Sequence, residues 1–407
     1  MRKVNYINKS PLVFVAIVVM IAVAVFNANE TKTANSKYLP AEEKQKIVLT
    51  KGESSLSKDV MLTRIWMLEV REGLLQRLRD TGMEEDVFAI VAAMALGERS
   101  MMGDEVRDIF ADTGVAHLLA LSGLHLAIIA SFLLFLVRPL RRRNPLLFSV
   151  CSLLMLLPIW MYVFLTGMRV SAVRAALMIS VCTVVSAFGR QYVSLNSLAL
   201  SAIIILLFDP KCLFELSFQL SFLSLLGIFI IMEEQGKRMN NLTPSMQEGN
   251  NIKWLWCRRV FSKMGRRIID LCLISLGAQM MTFPLVLYHF GSFCPYFLLT
   301  NIVAVPLTTV ILYLACLWMM TVVAVPSIGT VFMVAVSYMV KLLMGCIRFV
   351  STLPYAVLEE LQTTVLQTML LYAIIVVFLL WWRKNDAKRS ELLLLTILTF
   401  LIVTYLC

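Results

Sequence analysis

Charge is scarce in this chain. Only 15% of its 407 residues are Asp, Glu, Lys or Arg, against roughly a quarter in ordinary soluble domains. Histidine is scarcer still, with three in the whole sequence. The nine cysteines form no Cys-x-x-Cys pair and lie mostly in apolar runs. They read as small buried hydrophobes, which excludes a disulfide frame or a cysteine zinc site. No Gly-x-x-x-x-Gly-Lys-Ser/Thr loop is present, so no P-loop nucleotide site is expected.

Apolar surface is abundant. Hydrophobic residues make up 59% of the chain, and its mean hydropathy is +0.80. A soluble domain of this length has too little interior to hide so much apolar surface. Lipid must solvate it. Apolar runs of about 20 residues cross a bilayer as helices, because only a helix satisfies its own backbone groups there. The net charge is +11. In a soluble protein that would suggest nucleic acid; here it first suggests cytoplasmic loops, where positive residues gather and set orientation.

The chain opens with Arg2, Lys3 and Lys9 before an apolar run from Pro11 to Phe26. No small-residue cleavage site follows cleanly, so residues 1–28 are expected to be an uncleaved anchor. Residues 29–59 form a short polar extracytoplasmic segment. Over 60–97 interfacial helices are expected: Met67, Val70, Leu74 and Leu78 recur at helical spacing, which suits a helix on a membrane surface or one packed between spans. Further apolar runs lie near 115–137, 146–165, 170–188, 195–208, 213–232, 268–289, 297–323, 328–350, 362–382 and 391–406. The run at 195–208 is too short for an upright span and can form a re-entrant pair with its neighbour. The expected fold is an all-α polytopic membrane protein of about nine to eleven transmembrane helices plus an amphipathic interfacial helix. Its core falls at 98–350 and its last spans at 351–407.

With a cytoplasmic N-terminus, every strongly basic loop falls on one side. These loops hold Arg138, Arg141, Arg142 and Arg143; the cluster from Lys237 to Arg267; and Arg383, Lys384, Lys388 and Arg389. The loop with Glu359 and Glu360 falls on the other, as does the C-terminus.

Four clusters could carry chemistry. The first runs from Gly97-Glu98-Arg99 through Gly114 and His117 to Ser122-Gly123-Leu124-His125. On one helix, His117, Ser122 and His125 fall at roughly 0°, 140° and 80°, a polar stripe on a greasy surface that suits a pore or cavity wall. The stripe lacks the acid that a serine–histidine nucleophile needs. Zinc requires three protein ligands, which two spaced histidines and a distant third do not supply. No metal, cofactor or enzymatic activity is therefore expected. The second cluster is Gly167 with Arg169 and Arg174. A buried arginine needs an acid, a carbonyl, water or an anionic ligand; Glu98 and Glu215 are candidate acids, and phosphate is a candidate ligand. The third is Asp209-Pro210 and Glu215 to Phe222, with Gln219 among the polar positions. Phe218 and Phe222 share a face and could stack on bases or simply pack. The fourth runs from Pro284, expected to break a helix, through His289 and the helix stop Gly291 to Asn301 and Pro306.

Together these clusters resemble the ComEC-type competence family. Gly97-Glu98-Arg99 is similar to that family's Gly-Asp-Arg, with Glu98 replacing Asp. His117-Leu118-Leu119-Ala120-Leu121-Ser122-Gly123-Leu124-His125 resembles its His-Leu-Leu-Ala-Ile-Ser-Gly-Leu-His signature. The remaining motifs follow in the expected order over roughly 60–350. The resemblance implies a plasma-membrane channel for one DNA strand, with His117, Ser122, His125, Arg174, Gln219, His289 and Asn301 as pore-lining candidates. Gly97, Glu98, Arg99, Gly114, Gly123, Gly167, Pro284, Gly291 and Pro306 are its structural motif positions. Members often carry an OB-fold before this core and a metallo-β-lactamase-like nuclease after it. Residues 27–59 are too few for the first, and the sequence has no His-x-His-x-Asp-His motif. The expectation is a channel core served by separate nuclease, OB-fold or DNA-receptor, and cytoplasmic translocase proteins. A transporter of another anionic solute and a non-transporting remnant or scaffold are the alternatives.

Overall fold

The computed structural model describes residues 55–404 except 120, 141–143, 188–193, 209, 242–251, 325, 385–394 and 402–403. The expected anchor at 1–28, nearly all of the 29–59 segment and much of the last run lie outside the described residues. The described helices are α1 (Ser55–Arg79), α2 (Glu85–Leu96), α3 (Asp104–Asp112), α4 (Ala116–Leu119), α5 (Gly123–Val137), α6 (Pro145–Leu154), α7 (Leu156–Leu165), α8 (Val170–Ala187), α9 (Ser194–Phe208), α10 (Leu216–Asn241), α11 (Ile252–Phe290), α12 (Phe297–Ala324), α13 (Pro326–Ser351) and α14 (Val365–Lys384). Among the described residues the sole β pairing is a bridge between Phe293 and Leu358.

The protein is an all-α polytopic membrane protein. Among the described residues, seven segments are long and apolar enough to cross a bilayer: Leu146–Leu165, Val170–Ala187, Leu216–Gln235, Arg267–Phe290, Phe297–Val322, Gly329–Ser351 and Val365–Trp382. Gly123–Val137 and Leu195–Leu207 are shorter apolar helices.

Helix α2 organises the interior. Glu85 and Asp86 in its first turn suit the positive end of the helix dipole. Every residue from Val87 to Leu96 is buried. A helix apolar on all sides belongs inside a large protein, and α12 and α13 pack around this one. Gly97 ends it at φ +75°, a left-handed conformation that costs glycine nothing. The Glu98 amide then donates back to the Ala92 carbonyl at 3.0 Å.

Helix α1 packs against α2 and α7. Its buried stripe is Met67, Leu74, Leu75 and Leu78, while Val70 is exposed. The stripe is rotated from the expected one because half-buried Arg71 lies one turn after Met67 and reaches inward.

Two expectations about breaks reverse. The 115–137 run is not one helix. It stops at Leu119 and restarts at Gly123, with Leu121 and Ser122 outside helical structure. Conversely, Pro284 does not break α11, which runs through it to Phe290. A proline removes a backbone donor and strands a carbonyl one turn earlier. Near that gap the Tyr372 hydroxyl donates to the Met281 carbonyl at 3.2 Å, and neighbouring helices can re-satisfy backbone in this way. Helix α11 stops before Gly291, at φ +64°, as expected.

Helices α10 and α11 cross at Gly227 and Gly277. A Cβ on Gly227 would stand 2.0 Å from the Gly277 carbonyl oxygen. Without a hydrophobic drive between helices in lipid, such close backbone approach supplies the dispersion contact that holds them.

Candidate functional site

The four clusters, spread over 200 residues of sequence, meet at one end of the helix bundle. Cluster one touches cluster two three times. Arg169 Nη2 donates to the Gly97 carbonyl. Ser171 Oγ donates to the Leu121 carbonyl at 2.7 Å. A Cβ on Gly123 would stand 3.6 Å from that of Ala175. Cluster two touches cluster three where Arg174 reaches Ser217. Cluster one touches cluster four where a Cβ on Gly114 would come within 3.1 Å of Phe297 Cβ and 3.3 Å of Cys294 Cβ. Gly291 accepts from the Leu361 amide at 2.8 Å, and Phe293 and Leu358 exchange backbone bonds. Arg138, and Arg383 and Lys384, sit at the other ends of their helices.

The break between α4 and α5 shapes the first cluster. His117, Ser122 and His125 do not form the expected helical stripe, because the chain turns at Leu121 and Ser122. Ser122 instead caps α5. Its amide donates to His125 Nδ1 at 3.4 Å, and its Oγ lies 3.0 Å from the same nitrogen. Nδ1 is thus an acceptor, so in the neutral ring the proton sits on Nε2. That atom is buried and has no hydrogen-bond partner. His117 and Gly123 are exposed, and Ser122 is half-buried. His117 and Arg99 are close enough to act electrostatically on His125.

Arg174 is 2% exposed. Its Nη2 donates to the Ser217 carbonyl at 2.8 Å and to Ser217 Oγ at 2.7 Å. Its Nη1 stands 3.9 Å from Glu215, and its guanidinium lies 5.8 Å from the Phe218 ring centroid. The acid alternative named from sequence is therefore the geometry observed, with a carbonyl and a hydroxyl added. Gln219 is buried and donates to the Leu213 carbonyl at 3.1 Å, holding the turn before α10. Phe218 and Phe222 are fully buried with ring centroids 4.3 Å apart, so they pack on each other rather than offering faces for bases. His289 is half-buried against Tyr288, edge to face at 5.0 Å. Asn301 is buried with Oδ1 unpartnered. Among the described residues, no three His, Cys, Asp or Glu side chains group to hold a metal ion.

One feature of the site was not read from sequence. Around Gly97-Glu98-Arg99 converge Arg71, Arg107 and Arg169. Arg71 Nη2 pairs with Glu98 at 3.2 Å. Arg99 Nε donates to the Leu119 carbonyl at 3.1 Å, and Arg107 Nη2 to the Arg99 carbonyl at 2.8 Å. Burial pushes the Glu98 carboxyl up, but hydrogen bonds from Ser100 and the charges of Arg71 and Arg169 outweigh it and hold Glu98 below its ordinary value. The Asp112 carboxyl, at the same end, is pushed up by burial and by Asp108 and Glu359. Helical spacing could have flagged Arg71, which follows Met67 by four residues on the apolar face.

The competence protein family matches residues 94–385 of this sequence. The chain belongs to that family. Among curated relatives, ComE operon protein 3 of Bacillus subtilis (strain 168) is 32% identical over 224 residues, 55% of this chain and 25% of that protein. YcaI of Escherichia coli (strain K12) is 25% identical over 235 residues, covering 55% and 28%. Recombination protein 2 of Haemophilus influenzae is 24% identical over 252 residues, covering 60% and 29%. The matched region thus spans between a quarter and a third of these relatives' length. No solved structure matches. All four clusters fall within the matched competence region, and so does the Arg169 side of the arginine junction.

Proposed function

We propose that this competence-family protein forms the passage by which a single strand of DNA crosses the bacterial plasma membrane during natural transformation. The carrying observation is that the family match covers the membrane core, whose four motif clusters join at one end of the bundle. A phosphate backbone cannot cross hydrocarbon unaided. A passage must offer polar and cationic groups while binding weakly enough to release. The break before α5 supplies a polar point in an apolar setting, with His117, Ser122 and the start of α5 within reach of solvent.

In this reading the N-terminus is cytoplasmic and the C-terminus extracytoplasmic. The basic loops then face the cytoplasm, and the joined clusters face outward, where the strand arrives. The basic loops receive the emerging strand with salt-sensitive affinity. The partners in this reading are a nuclease, an OB-fold or other DNA receptor, and a cytoplasmic translocase.

The test is uptake of labelled DNA in a competent host lacking this gene. Loss of the cytoplasmic labelled strand, restored by the wild-type chain, is expected. Unchanged arrival of the strand in the cytoplasm would remove the reading.

A further inference from the structure

Two guanidinium groups, Arg71 and Arg169, act on one carboxylate, Glu98, at the end of α2. The carboxylate is already engaged. Glu98 Oε1 accepts from the Ser100 amide at 3.0 Å and from Ser100 Oγ at 2.6 Å, while Oε2 faces Arg71 at 3.2 Å. Arg71 Nε is buried without a hydrogen-bond partner. Arg169 gives one nitrogen to the Gly97 carbonyl. Among the described residues, no carboxylate lies within 4.0 Å of it. Arg99 stands on the same turn. Arg71 and Arg169 are near enough to repel each other, with Glu98 attracting both.

The junction therefore carries more cationic charge than its own acid offsets, in a half-buried setting where charge is poorly screened. It is also reachable: Glu98, Arg99 and Arg169 are half-buried, and Ser100, Met101 and Val170 beside them are exposed. Guanidinium groups present planar forks of donors that match two oxygens of a phosphate. The junction borders the helix break directly, because Arg99 is bonded to Leu119 at the end of α4.

We infer that the junction of Arg71, Arg99 and Arg169 around Gly97–Ser100 is a phosphodiester-binding site that takes the strand's backbone at the mouth of the passage. The inference rests on the channel reading. Arg169 supplies the contact to the incoming oxyanion, and Arg71, tied to Glu98, holds the junction together.

The full chain in lipid nanodiscs, titrated with labelled oligothymidylate at several salt concentrations, tests it. Each phosphate contact adds about 0.7 to the slope of log affinity against log salt for a single strand. Arg169→Gln is expected to weaken binding several-fold and to flatten that slope by about one contact. Arg169→Lys should keep the slope. An oligothymidylate with uncharged methylphosphonate links should bind wild type and Arg169→Gln alike. Wild-type affinity and slope in a folded Arg169→Gln protein would overturn the site while leaving the channel reading intact. Wild-type protein that binds no strand would overturn both. If Arg169→Gln instead loses co-purifying anionic lipid, measured by mass spectrometry, with strand affinity unchanged, the oxyanion is a headgroup and the inference is wrong.

Discussion

Arg174 donates to both the carbonyl and the hydroxyl of Ser217, at 2.8 and 2.7 Å, and so fastens the second turn of α8 to the first turn of α10. A cation placed in an apolar helix is thereby turned from a membrane liability into a crosslink. The same contacts define its dependence on neighbours. Removing the side chain leaves Ser217 and Glu215 without their partner.

Arg174→Ala is accordingly expected to lower stability by about 1–3 kcal/mol, the scale of hydrogen bonds to a charged group. Arg174→Lys should recover only part, because an ammonium lacks the planar fork. Thermal unfolding of the detergent-purified protein checks both. A stable Arg174→Ala protein with lost DNA uptake would instead place the side chain in the passage.

The α10–α11 crossing has no room for a methyl group. Gly227→Ala would set a Cβ about where the Gly277 carbonyl stands, at 2.0 Å. The helices must separate, so a destabilisation of about 1–3 kcal/mol is expected, typical of overpacking. Gly345→Ala, with nothing within 4 Å of its added Cβ, is the control in the same thermal assay and should be close to neutral.

The Glu98 clasp predicts an acid limb of stability. Its folded value lies below the ordinary 4.5. An acid depressed on folding contributes stability that is fully present above its unfolded value and lost as pH falls through the folded one. Wild-type protein should therefore lose thermal stability below about pH 4.5. Glu98→Gln should start lower and show a shallower acid decline. Parallel curves for the two proteins would remove the clasp from the account.

Tyr372→Phe deletes one hydroxyl on α14 that serves the backbone of α11 near Pro284. A cost of about 0.5–1.5 kcal/mol is expected. Faster hydrogen exchange should appear at amides around 281–285, read by mass spectrometry. Uniform exchange along α11 in wild type and variant would count against it.

Much of this protein was legible in one dimension. The scarcity of charge and the length of the apolar runs determined that it is helical and spans a membrane, since lipid leaves backbone groups no other way to be satisfied. Gly291 announced its helix stop, because the position after the helix takes a left-handed turn. What sequence could not decide was where polar and strained residues find partners. Pro284 looked like a break, yet α11 continues past it with Tyr372, 88 residues further on in sequence, serving the nearby backbone. The run at 115–137 looked continuous, yet it parts at Leu121 and Ser122 where Ser171 holds the Leu121 carbonyl. Arg71 shares a helix face with Met67, yet it pairs with Glu98, 27 residues further on in sequence. In each case the deciding group lies far off along the chain, and only the folded packing brings it within hydrogen-bond reach.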